Sequence, residues 1–553
     1  MRLLWLDLNS SYAHSSLALP AIHAQMAHAT GIEWLKVTAT INDSIGSVTA
    51  AVARQKPDVI AASCWLFTHD ILTAVIARCK ALLPGVRVIL GGPEFLGDNE
   101  TFLRANPAVD CVLRGEGEEA FPRWLAVWDC PSQWQQAEGL CWLADRRYVD
   151  NGTARVASFD RLAAPESSPL FDWGKPFVQL ETTRGCFNTC AFCTSGGDRP
   201  VRTIPLERVE ERIANIVSHG IHDVRMLDRT FNHDARRAEA MLDIFERFAG
   251  KARFHLEVHP GLLTENLRRR IAQLPEGLLH IEAGIQSLNA RVITSSKRLG
   301  DVAKSVEGLR TLCSMPNVVT HADLIAGLPH TTLGGIIDDV ASLSAFGAGE
   351  IQLETLKLLP GTVMRDKAGE LGIRFSPRPP YEVLATGDMT ADDLLTAVRL
   401  SRLVDGYYNT EAWQAVTRRL IAADCGFLPR FLDYLTAAGA TDHPTSLEKR
   451  GLLLYDFCRE AYPSHTTDVS MAWIEAGLSL KKAPAGRAVT RHVQPGDGWH
   501  IIYGIYRQGM RLCFLPTDDG GEEGFWYGYP TDTQSARPTF KSQGRRSGQE
   551  QQA

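Results

Sequence analysis

From the N-terminus to about residue 125, near-continuous apolar runs alternate with amphipathic stretches. The runs are 2–8, 33–40, 58–65, 87–92 and 111–115, and the helix-like stretches between them are 17–29, 44–55, 69–82 and 116–128. Strands with little polar alternation belong to parallel sheets covered on both faces. The pattern therefore predicts an α/β doubly wound parallel sheet of about five strands.

Residues 129–175 are rich in Pro, Ser and Trp and predict an extended linker without regular structure. A second alternation starts at 176, with strand patterns at 177–183, 223–228, 252–258, 278–284, 318–327 and 350–358. Helical patterns fall between them, so this part predicts a partial or complete (β/α) barrel, whose functional loops follow the strand ends. Beyond 376 the character changes. Residues 388–480 look helical, whereas 490–530, including 499–507 and 511–516, look more strand-like. The expected organisation is a sheet domain at 1–130, a linker at 131–175, a barrel at 176–375, a mostly helical domain at 376–532 and a disordered tail at 533–553.

Composition narrows the class. With 44% hydrophobic and 22% charged residues the chain is ordinary for a globular protein. A net charge of −6 argues against a strongly basic nucleic-acid surface. No segment approaches the ~18 uninterrupted apolar residues of a membrane span. Asp7 interrupts the first apolar run, which reads as a buried strand and not as a secretory segment. Twelve cysteines in 553 residues do not suggest a disulfide scaffold. The expectation is a soluble cytoplasmic protein.

Three of those cysteines sit together: Cys186, Cys190 and Cys193, in TTRGCFNTCAFCTS directly after the first barrel strand. Such a set can hold zinc or an iron–sulfur cluster. Structural zinc is four-coordinate. However, no further cysteine lies between Cys141 and Cys313, and His219, His222 and His233 have no knuckle spacing. Three thiolates on a cubane cluster leave one iron open for an outside ligand, which favours the cluster over zinc or an inert loop.

Cys-x3-Cys-x-aromatic-Cys, with Phe192 as the aromatic, resembles the radical S-adenosylmethionine superfamily over residues 176–365. The resemblance implies that Cys186, Cys190 and Cys193 hold a [4Fe-4S] cluster whose open iron is chelated by S-adenosylmethionine. One electron then cleaves the sulfonium to a 5′-deoxyadenosyl radical. So reactive a species needs a closed, dry cavity. Further contacts to S-adenosylmethionine are implied for Phe192, Asp228, Glu257, Gln286 and Ser287. In this set Asp228, in MLDRTFN, stands where the family often has Gly-Gly-Glu. His259 also ends the third strand, and AGLPH (326–330) and KLLPGT (357–362) resemble the fifth and sixth strand-end segments.

GGPEF (91–95) and RGEGEEAF (114–121) follow the fourth and fifth strands of the first sheet, where glycine permits close backbone approach to a ligand. Ahead of such a barrel, residues 1–125 resemble the cobalamin-binding domain of the superfamily's class B methylating branch. The implied cobalamin contacts are Ser10, His14, Ser63, Gly91, Gly92, Glu94, Gly115, Glu116 and Gly117. Asp-x-His-x-x-Gly, the usual lower-ligand motif, is absent. The C-terminal region resembles an uncharacterised domain found in one subgroup.

The resemblance implies a cobalamin-dependent radical methyltransferase acting on an unactivated carbon of a small-molecule or peptide substrate. Its electron donor would be of the flavodoxin or ferredoxin kind. The alternatives are a cobalamin-dependent radical cyclase or oxidoreductase, and a methylthiotransferase, for which Cys64, Cys79 and Cys111 would have to hold a second cluster.

Overall fold

Arg2–Asn9 is buried at seven of its eight positions, because both faces of the sheet it belongs to are covered. The computed structural model describes residues 1–478, Lys482 and three strands at 511–516, 522–528 and 539–546. The chain divides into two units, residues 1–332 with 355–394, and residues 333–354 with 395–553.

In the first unit, Glu33–Thr40, Arg2–Asn9, Val59–Ser63, Arg87–Gly91 and Cys111–Leu113 pair side by side in that order, all parallel. Successive side chains of the first strand enter opposite layers: Leu4, Leu6 and Leu8 join one core, Leu3 and Trp5 the other. Helices Ala18–Gln25, Ile45–Arg54, His69–Leu82 and Gly117–Leu125 connect the strands. The strand order reverses around Arg2–Asn9, so the strand ends there form the crevice in which open α/β sheets bind ligands.

The linker expectation fails in part. Leu140–Ala144 and Arg147–Asp150 form an antiparallel hairpin that extends the sheet beyond Cys111–Leu113. Its side chains explain why: Leu140, Cys141 and Trp142 are buried, and Trp134 and Trp142 pack at 5.9 Å. A run of prolines and tryptophans on either side masked this short strand pattern.

The barrel strands Val178–Leu180, Asp223–Met226, Arg253–Val258, Leu279–Gln286 and Val318–Ala326 lie in chain order and are parallel. Glu350–Thr355 forms a strand where the sixth was expected. Along Leu279–Gln286 burial alternates strictly. Leu279, Ile281, Ala283 and Ile285 are buried, and His280, Glu282, Gly284 and Gln286 lie on the other, half-buried face. Asp301 caps the helix Val302–Cys313 by accepting the Lys304 N–H, and that helix packs behind the strands Leu279–Gln286 and Val318–Ala326.

The second unit is built mainly from helices, among them Glu411–Ala423, Phe427–Ala437, Leu447–Ala461 and Thr466–Glu475. Trp413, Phe427, Phe431 and Trp473 are fully buried between them. The Asn409 side-chain amide bonds both the N–H and the C=O of Ile351 (2.9 and 2.8 Å), acting as a one-residue strand neighbour. Arg511–Pro516, Glu522–Gly528 and Thr539–Arg546 form a three-stranded antiparallel sheet. Thr539–Arg546 was expected within a disordered tail. Backbone pairing to Glu522–Gly528 orders it, and a polar, basic sequence suits the edge strand it forms. The expected strand at 499–507 lies outside the described residues. Among the described residues no helix is long and apolar enough to cross a membrane.

Candidate active site at the cysteine loop and the sheet-end cavity

The cysteine loop is pinned at both ends. Thr183–Arg184 pairs antiparallel with Arg202–Thr203, closing the segment between them. Gly185 has φ +98°, a conformation glycine adopts at little cost, and a Cβ there would stand 2.5 Å from the Asp198 carbonyl. That carbonyl accepts the Cys186 N–H at 3.0 Å. Inside the loop, Asn188 Oδ1 accepts from the Thr189 and Leu299 N–H groups (2.8 Å each). The Ala191 N–H donates to Ser296 O at 2.9 Å. The Asn188 side chain and the backbone of residues 296–299 thus brace the loop from within and from outside.

Its three thiols are free, with Cys186 and Cys190 buried and Cys193 half-buried. Arg298 Nη1 donates to Cys190 Sγ at 3.6 Å, and the Asn188 N–H donates to Cys186 Sγ at 3.4 Å. Burial pushes the Cys190 thiol up, and the Arg298 charge opposes that. Cys193 is pushed up by burial likewise, against the Ser195 N–H and Arg229. Three unpaired sulfurs with N–H donors and a guanidinium turned towards them suit an anionic thiolate cluster.

The proposed S-adenosylmethionine residues take different places. Phe192, inside the cysteine loop, is half-buried. Asp228 is 2% exposed, and its carboxylate accepts from the N–H groups of Thr182 (2.7 Å) and Thr183 (2.8 Å) and from the Thr182 hydroxyl. It holds the turn that leads into the cysteine loop, and both of its oxygens are engaged there. Glu257 stands on the polar barrel face, its carboxyl pushed up to about 7 by burial, with Arg229 opposing and Glu282 adding to the rise. Gln286 has φ +67° at a bulge, and Ser287, 3% exposed, accepts from the Asn289 N–H at 3.1 Å. His259 Nε2 lies 3.0 Å from Leu299 O, and burial with the Arg298 charge takes its pKa down to about 4.

Sequence reasoning missed Arg298 and a row of titratable groups behind Glu257. His255 Nε2 lies 3.0 Å from Glu282 Oε2, and His255 and His280 stack at 4.4 Å. Burial raises Asp323 well above the carboxylate range, and neighbouring Glu282 adds to it. The signal was present: in the strands His280–Gln286 and His321–Asp323 every second residue is polar or glycine.

The strand ends of the first sheet open onto a cavity of about 740 Å³. Ser10, His14, Ser63, Gly91, Gly92, Gly115, Glu116 and Gly117 line it, together with Trp5, Ile22, Ala61 and Phe121 at its apolar rear. The opposite wall is the barrel mouth: Arg184, Gly185, Ser195 and Arg229, within two residues of Cys186, Cys193 or Asp228. Glu94, expected to touch the ligand, does not line the cavity. Its Oε2 accepts from the Tyr381 hydroxyl at 2.7 Å.

Glu116 lines the cavity but is bound to Arg202 (Nη1–Oε2 2.9 Å) and to the Val156 N–H (2.6 Å). Burial alone would raise its carboxyl; the Arg202 hydrogen bonds, with Val156 and Arg184, bring it below the usual range. Nearby, Arg184 Nη2 donates to Glu118 (2.8 Å) and Glu181 (2.7 Å).

The glycines also differ from expectation. A Cβ on Gly92 (φ +102°) would come within 2.7 Å of Cys64 O, and one on Gly115 (φ +99°) would strike the Ala154 backbone. These two are required by chain packing. At Gly117 a Cβ would meet only side-chain ends, Ile22 at 3.2 Å and Leu113 at 3.6 Å.

The fold and site define a class of domain pairing: a sheet of the cobalamin-binding type ahead of a barrel of the radical S-adenosylmethionine type. Residues 7–125 match the B12 binding domain, 180–343 the Radical SAM superfamily, and 369–473 a protein of unknown function (DUF4080). The first two domains imply cobalamin, a [4Fe-4S] cluster and S-adenosylmethionine as cofactors; the three thiols suit the cluster, whereas Glu94, Glu116 and Asp228 are already engaged by protein partners.

The chain is homologous to cobalamin-dependent radical SAM methyltransferases. It is 25% identical over 359 residues to the cobalamin-dependent radical SAM methyltransferase TokK of Streptomyces tokunonensis, covering 59% of this chain and 51% of TokK. The chain spans about half the length of the curated methyltransferases it matches. A shorter match, 29% over 177 residues (30% of this chain, 40% of the relative), is to a tRNA-2-methylthio-N(6)-dimethylallyladenosine synthase of Herpetosiphon aurantiacus. In fold, the chain resembles the cobalamin-dependent S-adenosylmethionine radical enzyme OxsB with aqua-cobalamin bound, at TM-score 0.60 and 12% identity over 85% of this chain and 78% of OxsB.

Proposed function

We propose that this chain methylates an unactivated carbon of a small-molecule substrate in a cobalamin-dependent radical reaction. The observation that carries the reading is the shared cavity, with the strand ends of the cobalamin-binding sheet on one wall and the mouth of the cysteine-bearing barrel on the other. When bound, the cofactors supply a carbon-centred radical and a methyl donor.

The chain's own residues do the rest. Cys186, Cys190 and Cys193 would hold the cluster, with Arg298 offsetting negative charge at Cys190. Glu257 is the barrel carboxyl best suited to the cationic methionine amine, because Asp228 is engaged with Thr182 and Thr183. Ser10, Ser63, Gly91 and Gly117 would face the corrin. His14 Nδ1 is held by Ser11 Oγ at 2.7 Å and its ring lies edge-on to Phe177, so only Nε2 could reach a metal; with Asp-x-His-x-x-Gly absent from the sequence, no histidine is assigned to cobalt. The apolar rear and the barrel walls exclude water from the space between. The electron donor would be a small flavodoxin- or ferredoxin-like protein.

A methylthiotransferase would need a second set of convergent thiols. Cys64 and Cys79 are buried in one layer of the sheet core, and Cys111 in the other. Anaerobic turnover with methyl-labelled S-adenosylmethionine tests the reading: methylation adds about 14 Da and the label to the product, whereas cyclisation removes hydrogens. An unlabelled, hydrogen-depleted product would replace it with the cyclase reading.

A further inference from the structure

The GGPEF loop faces two ways. Gly91, Gly92 and Pro93 line the cavity, and one residue later Glu94 turns to the barrel side, where Tyr381 Oη donates to it at 2.7 Å. Both partners are buried, at 8% and 7% exposure. The Arg365 guanidinium lies 4.3 Å over the Tyr381 ring while its Nη1 donates to Leu358 O at 2.6 Å.

Next to this contact the two backbones touch. A Cβ on Gly97 would stand 2.8 Å from Gly361 N, and one on Gly361 would stand 2.7 Å from Leu96 O. The segment holding Gly361 continues into the short helix Val363–Asp366, and its Met364 N–H donates to Ala191 O at 2.8 Å, between Cys190 and Cys193. One continuous run of contacts therefore leads from the cavity floor to the cysteine loop.

We propose that Glu94 and Tyr381 are positioning residues, a buried latch that fixes the cobalamin-bearing loop against the cluster-bearing loop and so sets the cobalt-to-cluster separation. The inference rests on cobalamin occupying the cavity. Its physical basis is that a group transferred between two cofactors needs both held to within about an ångström of the productive geometry. Glycine contacts give close approach without direction. The hydrogen bond supplies the direction, and burial makes it costly to lose.

The test is the pulsed-EPR distance distribution between cob(II)alamin and the reduced cluster in the full-length, reconstituted protein. Tyr381→Phe keeps the ring under Arg365 and removes only the donor; the distribution should widen at least twofold with iron and cobalamin content unchanged. Glu94→Gln keeps an acceptor for Tyr381 and should retain the narrow wild-type distribution. A narrow distribution in Tyr381→Phe, or an equally broad one in Glu94→Gln, overturns the latch. Loss of cobalamin or iron from Tyr381→Phe also overturns it, by placing the pair in the binding machinery. A wild-type protein that binds no cobalamin overturns the cavity reading itself, and the latch with it.

Discussion

Val59–Ser63, in the first sheet, is buried at every position, whereas Leu279–Gln286, in the barrel, alternates buried and half-buried residues along its whole length. Both belong to parallel sheets. The first, sandwiched between two helical layers, holds mostly apolar side chains apart from Asp7, which pairs with Lys36 at 3.4 Å, so it meets the cavity chiefly at its strand ends, near 10, 63, 91 and 115. The barrel strand has helices on one face only. Its other face carries His280, Glu282 and Gln286, and its chemistry runs the length of the strand. A parallel strand buried on both faces can offer a ligand only its ends; one with a free face can offer a row of side chains.

The largest break in this comparison comes from the thiols. Alanine at Cys186, Cys190 and Cys193 together should abolish binding of about four irons and the absorbance near 400 nm. Retained iron would show that the barrel-end loop is not the ligand set.

Glu257 probes the free face of the barrel. Its carboxyl stands at about 7 in the fold against an ordinary 4.5. Between those values the folded chain holds more protons than the unfolded one, so this group's contribution to stability falls as pH rises through that window and is level above it. The shift corresponds to about 3 kcal/mol. Glu257→Gln should therefore be near neutral at pH 5 and stabilising by up to about 3 kcal/mol at pH 8, read from urea unfolding of both proteins. A pH-independent difference would contradict the assigned burial.

Gly117 probes the strand ends of the sheet. Valine there presses on Ile22 and Leu113, which also line the cavity, and should weaken cobalamin retention about a hundredfold while leaving iron content unchanged. The smallest effect is expected inside the sheet. Burial pushes the Cys79 thiol up to about 11 and raises Cys111 well above its usual range. Serine at either position should cost about 1–2 kcal/mol of stability and no iron. Iron loss would revive a second cluster.

Much of this was legible in the sequence because the signals were local. The apolar runs of the first sheet and the cysteine spacing each sit within ten residues, and the strands Glu33–Thr40 and Arg87–Gly91 fall where the pattern placed them. The hairpin Leu140–Asp150 and the strand Thr539–Arg546 were not legible, since each owes its order to a neighbouring strand. The long-range contacts were hidden too. GGPEF reads as a ligand loop, but Glu94 meets Tyr381 across 287 positions and Asp228 meets Thr182 across 46. No pattern along the chain distinguishes a carboxylate that will hold a cofactor from one that will hold a loop.

The central claim is that the sheet-end cavity holds cobalamin opposite the cysteine loop, with His14 engaged by Ser11 and not by cobalt. Continuous-wave EPR of the protein loaded with cob(II)alamin tests it most directly. The account predicts one bound corrinoid per chain with a base-off spectrum lacking nitrogen superhyperfine splitting from the lower axial position. Failure to retain cobalamin would contradict the cavity assignment, and nitrogen splitting would show that a protein histidine has taken the cobalt after all.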